Sequence, residues 1–166
     1  MIDSAFARMM ARYNRWQNES LYGAADALDD SERRKNRGAF FKSIHATLNH
    51  LLWADMIWMS RLAGTPKPGG NIASSTAIRD DWTVLKRDRV EFDARIAAWS
   101  EEIDDDWLKA DLAWFSGALQ QDIVKPRWMA TVHLFNHQTH HRGQVHAMLT
   151  AAGAKPADTD VIFMEA

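Results

Sequence analysis

The chain has 166 residues, no cysteine and a formal net charge of −2, with 46% hydrophobic and 25% charged residues. These values fit one soluble folded domain over 1–166. They exclude disulfides, thiolate metal sites and a cysteine nucleophile, and they leave no electrostatic footprint for nucleic acid. Met1-Ile2-Asp3-Ser4 lacks the basic start and apolar run of a secretory leader, and no apolar run approaches the ~20 residues of a membrane span. A cytoplasmic protein without membrane attachment is expected. Eight tryptophans predict a Trp-rich core.

A first helix is predicted over 4–28. Phe6, Met9, Met10, Tyr13, Trp16, Ser20 and Ala24 recur at three- and four-residue steps and mark its inward stripe. Asp29-Asp30-Ser31-Glu32-Arg33-Arg34 reads as a capped turn opening a short helix, acids first and bases last. A second long helix is predicted over 39–63, stopped by Gly64 and Pro66. It is apolar over most of its circumference and therefore buried. Lys42, His45, Asn49 and Ser60 share its one narrow polar wedge, which predicts a surface position for His45. His50 points away from that wedge, in line with Ala46, Trp53, Ala54 and Ile57, and is predicted to face inward. Asp55 sits among leucines and needs a partner.

Thr65-Pro66-Lys67-Pro68-Gly69-Gly70 is a loop by composition. A third long helix is predicted over 75–103, with a seam of Ile78, Trp82, Leu85, Phe92, Ile96, Trp99 and Ile103. Arg89 fills the polar slot in that seam and is the candidate partner for Asp55. Residues 107–125 read as an irregular crossing or a short hairpin turning at Ser116-Gly117. The last long helix is predicted over 126–152, with Pro126 at its start and Gly153 at its stop. The apolar tail, Val161-Ile162-Phe163-Met164, is expected to pack back on the helices. The fold class is all-α, a helical bundle with a short irregular or hairpin segment before its last helix.

The chemistry concentrates in His133-Leu134-Phe135-Asn136-His137-Gln138-Thr139-His140-His141-Arg142-Gly143-Gln144. Residues four apart on a helix share a face, so His137 and His141 can hold one small cation between them. A third ligand must come from another helix, and His50 is the inward histidine available. His133, four residues before His137, is an alternative to His141. His140 and His146 point to other faces. Three neutral imidazoles without a carboxylate or thiolate leave positions open to water or substrate, which is the layout of a catalytic site. Such a donor set suits a divalent metal ion: zinc, nickel, iron or copper. Asn49, Asn136 and Gln144 are candidate partners for the outer ring nitrogens.

Three further blocks extend the pattern: Ala11-Arg12-Tyr13-Asn14-Arg15-Trp16, Gly38-Ala39-Phe40-Phe41, and Ser43-Ile44-His45-Ala46-Thr47-Leu48-Asn49-His50-Leu51-Leu52. With Asn136 to Gln144, and with Asp158-Thr159-Asp160 near the end, the chain resembles the DinB-like (DinB/YfiT) metal-binding proteins over nearly its whole length. The resemblance implies a four-helix bundle of up-down-down-up type, often a homodimer. It also implies a metal, commonly zinc or nickel, held by histidines matching His50, His137 and His141. Proteins of this kind resemble thiol-dependent isomerases and S-transferases, which implies a small-molecule substrate and a low-molecular-weight thiol as cofactor. Two alternatives stand beside this. One is a metal-dependent hydrolase that activates a metal-bound water, with Asp55 the one inward carboxylate in view. The other is a non-catalytic metal-binding stress-response or interaction protein. The catalytic base and the substrate are not written in the sequence.

Overall fold

The structure, a computed structural model, is described for residues 2–165. It is mostly helical, with six α-helices and one two-stranded sheet: α1 (Ser4–Asp26), α2 (Asp30–Arg34), α3 (Ile44–Leu62), α4 (Trp82–Glu102), α5 (Asp105–Lys109), β1 (Asp111–Ser116), β2 (Gln121–Pro126) and α6 (Arg127–Ala151). Single 3₁₀ turns sit at Ser75–Ala77 and Val161–Phe163. The long helix α1 lies along α4 and α6, and α3 lies along α6. The helices α3 and α6 run antiparallel, since His50 meets His137 and His141 while Trp58, two turns later, meets His133. No described helix is long and apolar enough to cross a membrane.

Caps explain where the helices begin. Asp3, Asp29, Ser43, Asp81 and Asp104 each accept a hydrogen bond from a backbone N–H three residues on, occupying donors that the first helical turn leaves free. The Ser43 cap sets the start of α3 five residues later than the sequence pattern suggested. Residues 39–42 instead form a tight turn, with an isolated bridge between Ala39 and Lys42 and a left-handed Lys42 at φ 70°. The predicted third long helix is likewise shorter. Its expected first turn is the separate 3₁₀ turn at Ser75–Ala77, and α4 starts only after the Asp81 cap. At the other ends, Gly64 (φ 66°) and Gly153 (φ 82°) take the left-handed conformation that stops α3 and α6.

Of the seam read for the third long helix, Trp82, Leu85, Phe92, Ile96, Trp99 and Ile103 are buried, as is Arg89 in its polar slot, whereas Ile78 lies ahead of α4 and is half-buried. The α1 stripe is not. Phe6, Met9, Met10, Tyr13, Trp16, Ser20 and Ala24 flank the interface, while the fully inward row is Ala7, Ala11, Asn14, Gln17, Asn18, Leu21 and Ala25. Three polar residues occupy that row because each finds a partner there: charged core groups for Asn14 and Asn18, and a backbone carbonyl for Gln17. Asn18 Nδ2 donates to both oxygens of Asp93 at 3.0 and 3.2 Å, and Gln17 Nε2 donates to the Asp158 carbonyl at 2.9 Å.

The crossing at 107–125 contains the expected hairpin, with Trp114 opposite Ile123 and Phe115 opposite Asp122. Leu112 and Trp114 turn toward the helices, whereas Phe115 and Val124 face solvent. The tail is tied down only in part. Tyr13 donates its hydroxyl to the Thr159 carbonyl and Ser20 Oγ accepts from the Ala157 N–H, both on α1, yet Val161, Ile162 and Phe163 remain exposed. Polar anchors before these residues hold the segment, so their burial is not what fixes it. The Trp-rich core is also only partial. Trp53, Trp82 and Trp99 are buried, and the other five tryptophans are half-covered at its margins.

Candidate metal centre

The helix α6 carries two interleaved polar pairs. His137 and His141 lie on one face, and Gln138 and Arg142, each one residue on, lie about 100° around the helix. The first pair meets His50 of α3. One nitrogen from each of His50, His137 and His141 lies within 4.8 Å of the other two, a grouping that can hold a metal ion. His50 and His141 are buried and His137 is partly so. His50 Nε2 and His137 Nε2 are 3.3 Å apart. Ligands on a tetrahedral cation with bonds of ~2.0–2.1 Å stand roughly 3.3 Å apart, so this pair already has the required spacing.

Two outer-nitrogen contacts decide which ring nitrogens face the cluster. Ser75 Oγ donates to the Ile72 carbonyl at 2.6 Å, so toward His50 Nδ1, at 2.8 Å, it acts as acceptor. His50 therefore carries its proton on Nδ1 and presents a bare Nε2 inward. Gln144 Oε1 accepts from His141 Nδ1 at 2.8 Å and sets the same tautomer there. The bare Nε2 of His50 faces Nε2 of His137 at a separation that calls for a proton or a cation between them. The rings are poor proton carriers. Burial first, then charge on neighbouring imidazoles, pushes His137 down to about 3 and His50 down to about 4. Burial also lowers His141, with the Gln144 hydrogen bond opposing. Three neutral imidazoles, two of them fixed in orientation by Ser75 and Gln144, fit a borderline divalent cation.

The side chains around the cluster are aromatic. The Phe41 ring stacks on His50 at 3.9 Å between centroids and lies 5.3 Å from His141. The turn at 39–42 and the left-handed Lys42 put it there. A cleft of about 430 Å³ opens beside the Ser75 turn, lined by Met56, Gly69, Gly70, Ser74, Ile78 and Arg79 rather than by the histidines.

The remaining histidines divide. His133 stays outside the cluster, its ring against Trp58 at 4.6 Å. His140 is exposed, as its facing predicted, and His146 borders a cavity of about 150 Å³ shared with Tyr13, Arg142 and Thr159. His45 is a correction: the expected surface residue is buried, 4% exposed. Its polar wedge faces α2 and the segment entering α4, where protein packing excludes water and leaves His45 Nε2 without a partner among the described residues. Asn49 Nδ2 lies 3.2 Å from His45 Nδ1, and Asn49 Oδ1 accepts from the Arg79 N–H at 2.7 Å. Asn49 thus anchors the far end of the Ser75 turn instead of contacting His50. Asn136 is exposed, and Gln144 does contact a cluster histidine. Ser75 was missed by the sequence reading. It acts across a loop from His50, and its only sequence mark is a serine pair after a Gly-rich stretch.

Beside the histidines lies a second buried polar group. Arg89 donates to Asp55 at 2.7 Å and to Asp93 at 2.8 Å, the pairing expected for Asp55. Gln138 Nε2 also donates to Asp55, and Arg142 donates to Asn14. Burial works against the Arg89 guanidinium, but Asp93 and Asp55 hold its pKa above the ordinary arginine value. Burial pushes Arg142 down to about 10. Both bonds to Asp55 fall on Oδ2, Oδ1 is buried without a partner, and among the described residues no hydrogen bond joins this carboxylate to the histidines.

The DinB family model matches residues 1–166. The chain belongs to the DinB family. Protein DinB of Bacillus subtilis (strain 168) is 24% identical to it over 172 residues, covering 95% of this chain and 92% of the relative. A crystal structure of a DinB-like protein from Bacillus cereus ATCC 10987 superposes with a TM-score of 0.63 at 19% identity, covering 86% of this chain and 90% of the other. The likeness in fold thus extends over most of both chains.

Proposed function

We propose that this DinB-family protein is a divalent-metal-dependent enzyme acting on small molecules, of thiol-dependent S-transferase or isomerase type. His50, His137 and His141 are its metal ligands in this reading, and zinc or nickel is the metal. The observation that carries it is the convergence of three neutral imidazoles, two of them locked by Ser75 and Gln144 with Nε2 facing the cluster. When bound, such a cation supplies Lewis acidity that favours a thiolate over a thiol. A chain without cysteine must take its reactive sulfur from a low-molecular-weight thiol. The protein's own residues orient and shield. Ser75 and Gln144 hold the tautomers, and Phe41 keeps water from one face of His50. Hydrolysis is the weaker reading, because the inward carboxylate it would use is ion-paired with Arg89 and makes no hydrogen bond to the histidines among the described residues.

The same reading takes the four long helices as an up-down-down-up bundle forming one domain. It places the protein in the cytoplasm, where reduced thiols are plentiful, as a homodimer. Solvent-facing Phe115 and Val124 on the hairpin are apolar surface that a second copy would cover. The test is elemental analysis of untreated protein alongside a transfer screen with several low-molecular-weight thiols. The expected result is about one divalent metal per chain, with thiol-dependent turnover that disappears when the metal is removed. Stoichiometric metal without turnover for any thiol would instead mark a binding protein.

A further inference from the structure

A strip of aromatic rings leads away from the histidine cluster along α3 and α6. The His137 ring lies 5.7 Å from that of His133, His133 lies 4.6 Å from Trp58, and Trp58 lies 5.6 Å from Trp114 of β1. Arg61 closes the strip. Helical side chains lean toward the N-terminus of their helix, which carries this guanidinium back over Trp58, at 4.4 Å from the ring centre, and to 5.5 Å from Trp114.

Among the described residues, Arg61 meets no carboxylate and makes no hydrogen bond. Arg33, Arg37, Arg79 and Arg89 by contrast each hold an acidic partner. Arg61 is partly buried, and burial pulls it below the ordinary arginine value with no acid to offset the effect. A fork of N–H donors that meets no protein acceptor among the described residues is thus held against two indoles, at the end of a strip that begins at the histidines. A guanidinium offers two parallel N–H bonds to a planar carboxylate. A single one balances one negative charge and would leave a phosphate dianion half-compensated.

We propose that Arg61, backed by Trp58 and Trp114, binds the carboxylate of a small-molecule ligand whose other end lies at His50, His137 and His141. The position of that other end rests on the reading of the histidines as a metal centre. The aromatic strip gives the ligand an apolar middle, and Arg61 sets its polarity along the strip.

The test compares 3-phenylpropanoate with its neutral amide on full-length zinc-loaded protein, read by calorimetry and by tryptophan fluorescence. The carboxylate is expected to bind about tenfold more tightly than the amide. In Arg61→Gln the preference vanishes, and in Arg61→Lys, which keeps charge but loses the fork, it is intermediate. Equal binding of both probes to wild-type protein, or an unchanged preference in Arg61→Gln that is folded by circular dichroism, would overturn the proposal. Tighter binding of 2-phenylethylphosphonate would overturn the carboxylate assignment. A second pair, 6-mercaptohexanoate against hexanoate, reads the histidine end, and its thiol gain should disappear on metal removal. Absence of that gain with the carboxylate preference intact overturns the metal reading, and with it the placement of the ligand's far end, without touching Arg61.

Discussion

Two buried polar groups lie side by side in this protein and have opposite characters. The group of Asp55, Arg89, Asp93, Asn14, Asn18, Gln138 and Arg142 directs donors at acceptors, two acids set against two guanidiniums. The group of His50, His137 and His141 directs like at like, its inner nitrogens facing one another, with the outer nitrogens of His50 and His141 held by Ser75 and Gln144. Both draw on α3 and α6, and on α6 they are offset by a single residue. The difference separates a polar cluster of donors set against acceptors from a group of imidazoles that could hold a metal ion. Burial or charge alone would not distinguish them. The direction of the lone pairs does.

The comparison is most directly broken at the histidines. His50→Ala or His141→Ala should lower metal content from about one per chain to background, measured by elemental analysis on folded protein. Wild-type-like metal in both variants would end the three-histidine reading. The other group should respond in stability instead. Arg89→Met strands Asp55 and Asp93 in the core and is expected to cost about 3–5 kcal/mol in denaturant unfolding. Metal per folded chain should be unchanged; metal loss on the same scale as in His50→Ala would show that the two groups act as one.

Smaller changes sharpen the boundary. Ser75→Ala removes the acceptor at His50 Nδ1 and is expected to weaken metal affinity by roughly 10–100-fold, checked by competition with a chelator. Unaltered affinity would mean the tautomer is set elsewhere. The pH response of the metal-free protein should be milder. His50 at about 4 and His137 at about 3 lie below the ordinary value of about 6.5. The unfolded chain therefore takes up protons first as pH falls. These two residues cost no stability above about pH 7, and stability declines from about pH 6.5 toward 4. Thermal unfolding followed across that range should show the decline, and His50→Gln should flatten it. At the bottom of the scale, His140→Ala should leave metal content and stability unchanged, since His140 is exposed and outside the cluster.

The sequence was legible where residue type and position agreed. The α4 seam, the Arg89 slot, the Gly64 and Gly153 stops and the facing of His50, His137 and His141 all follow from apolar periodicity. It was misleading where the core is polar. The inward row of α1 carries Asn14, Gln17 and Asn18, so an apolar stripe drawn through Phe6, Met10 and Tyr13 lands one step off. His45 failed for the same reason, because a polar wedge on α3 is covered by protein rather than by water. Ser75 and the Ser43 cap depend on how the chain folds back locally, which periodicity does not encode.

The contact between His50 and His137 joins points 87 residues apart in the chain. A cation shared by them would tie off a loop containing about half the protein. Polymer statistics make the closure of so long a loop only slightly dearer than that of a short one, and in the folded state the ends already meet. Metal uptake would then draw the whole folding equilibrium toward the native state, provided the unfolded chain binds the cation weakly. The ligands that prepare the site for chemistry would also make the resistance of the fold to heat depend on the free metal concentration.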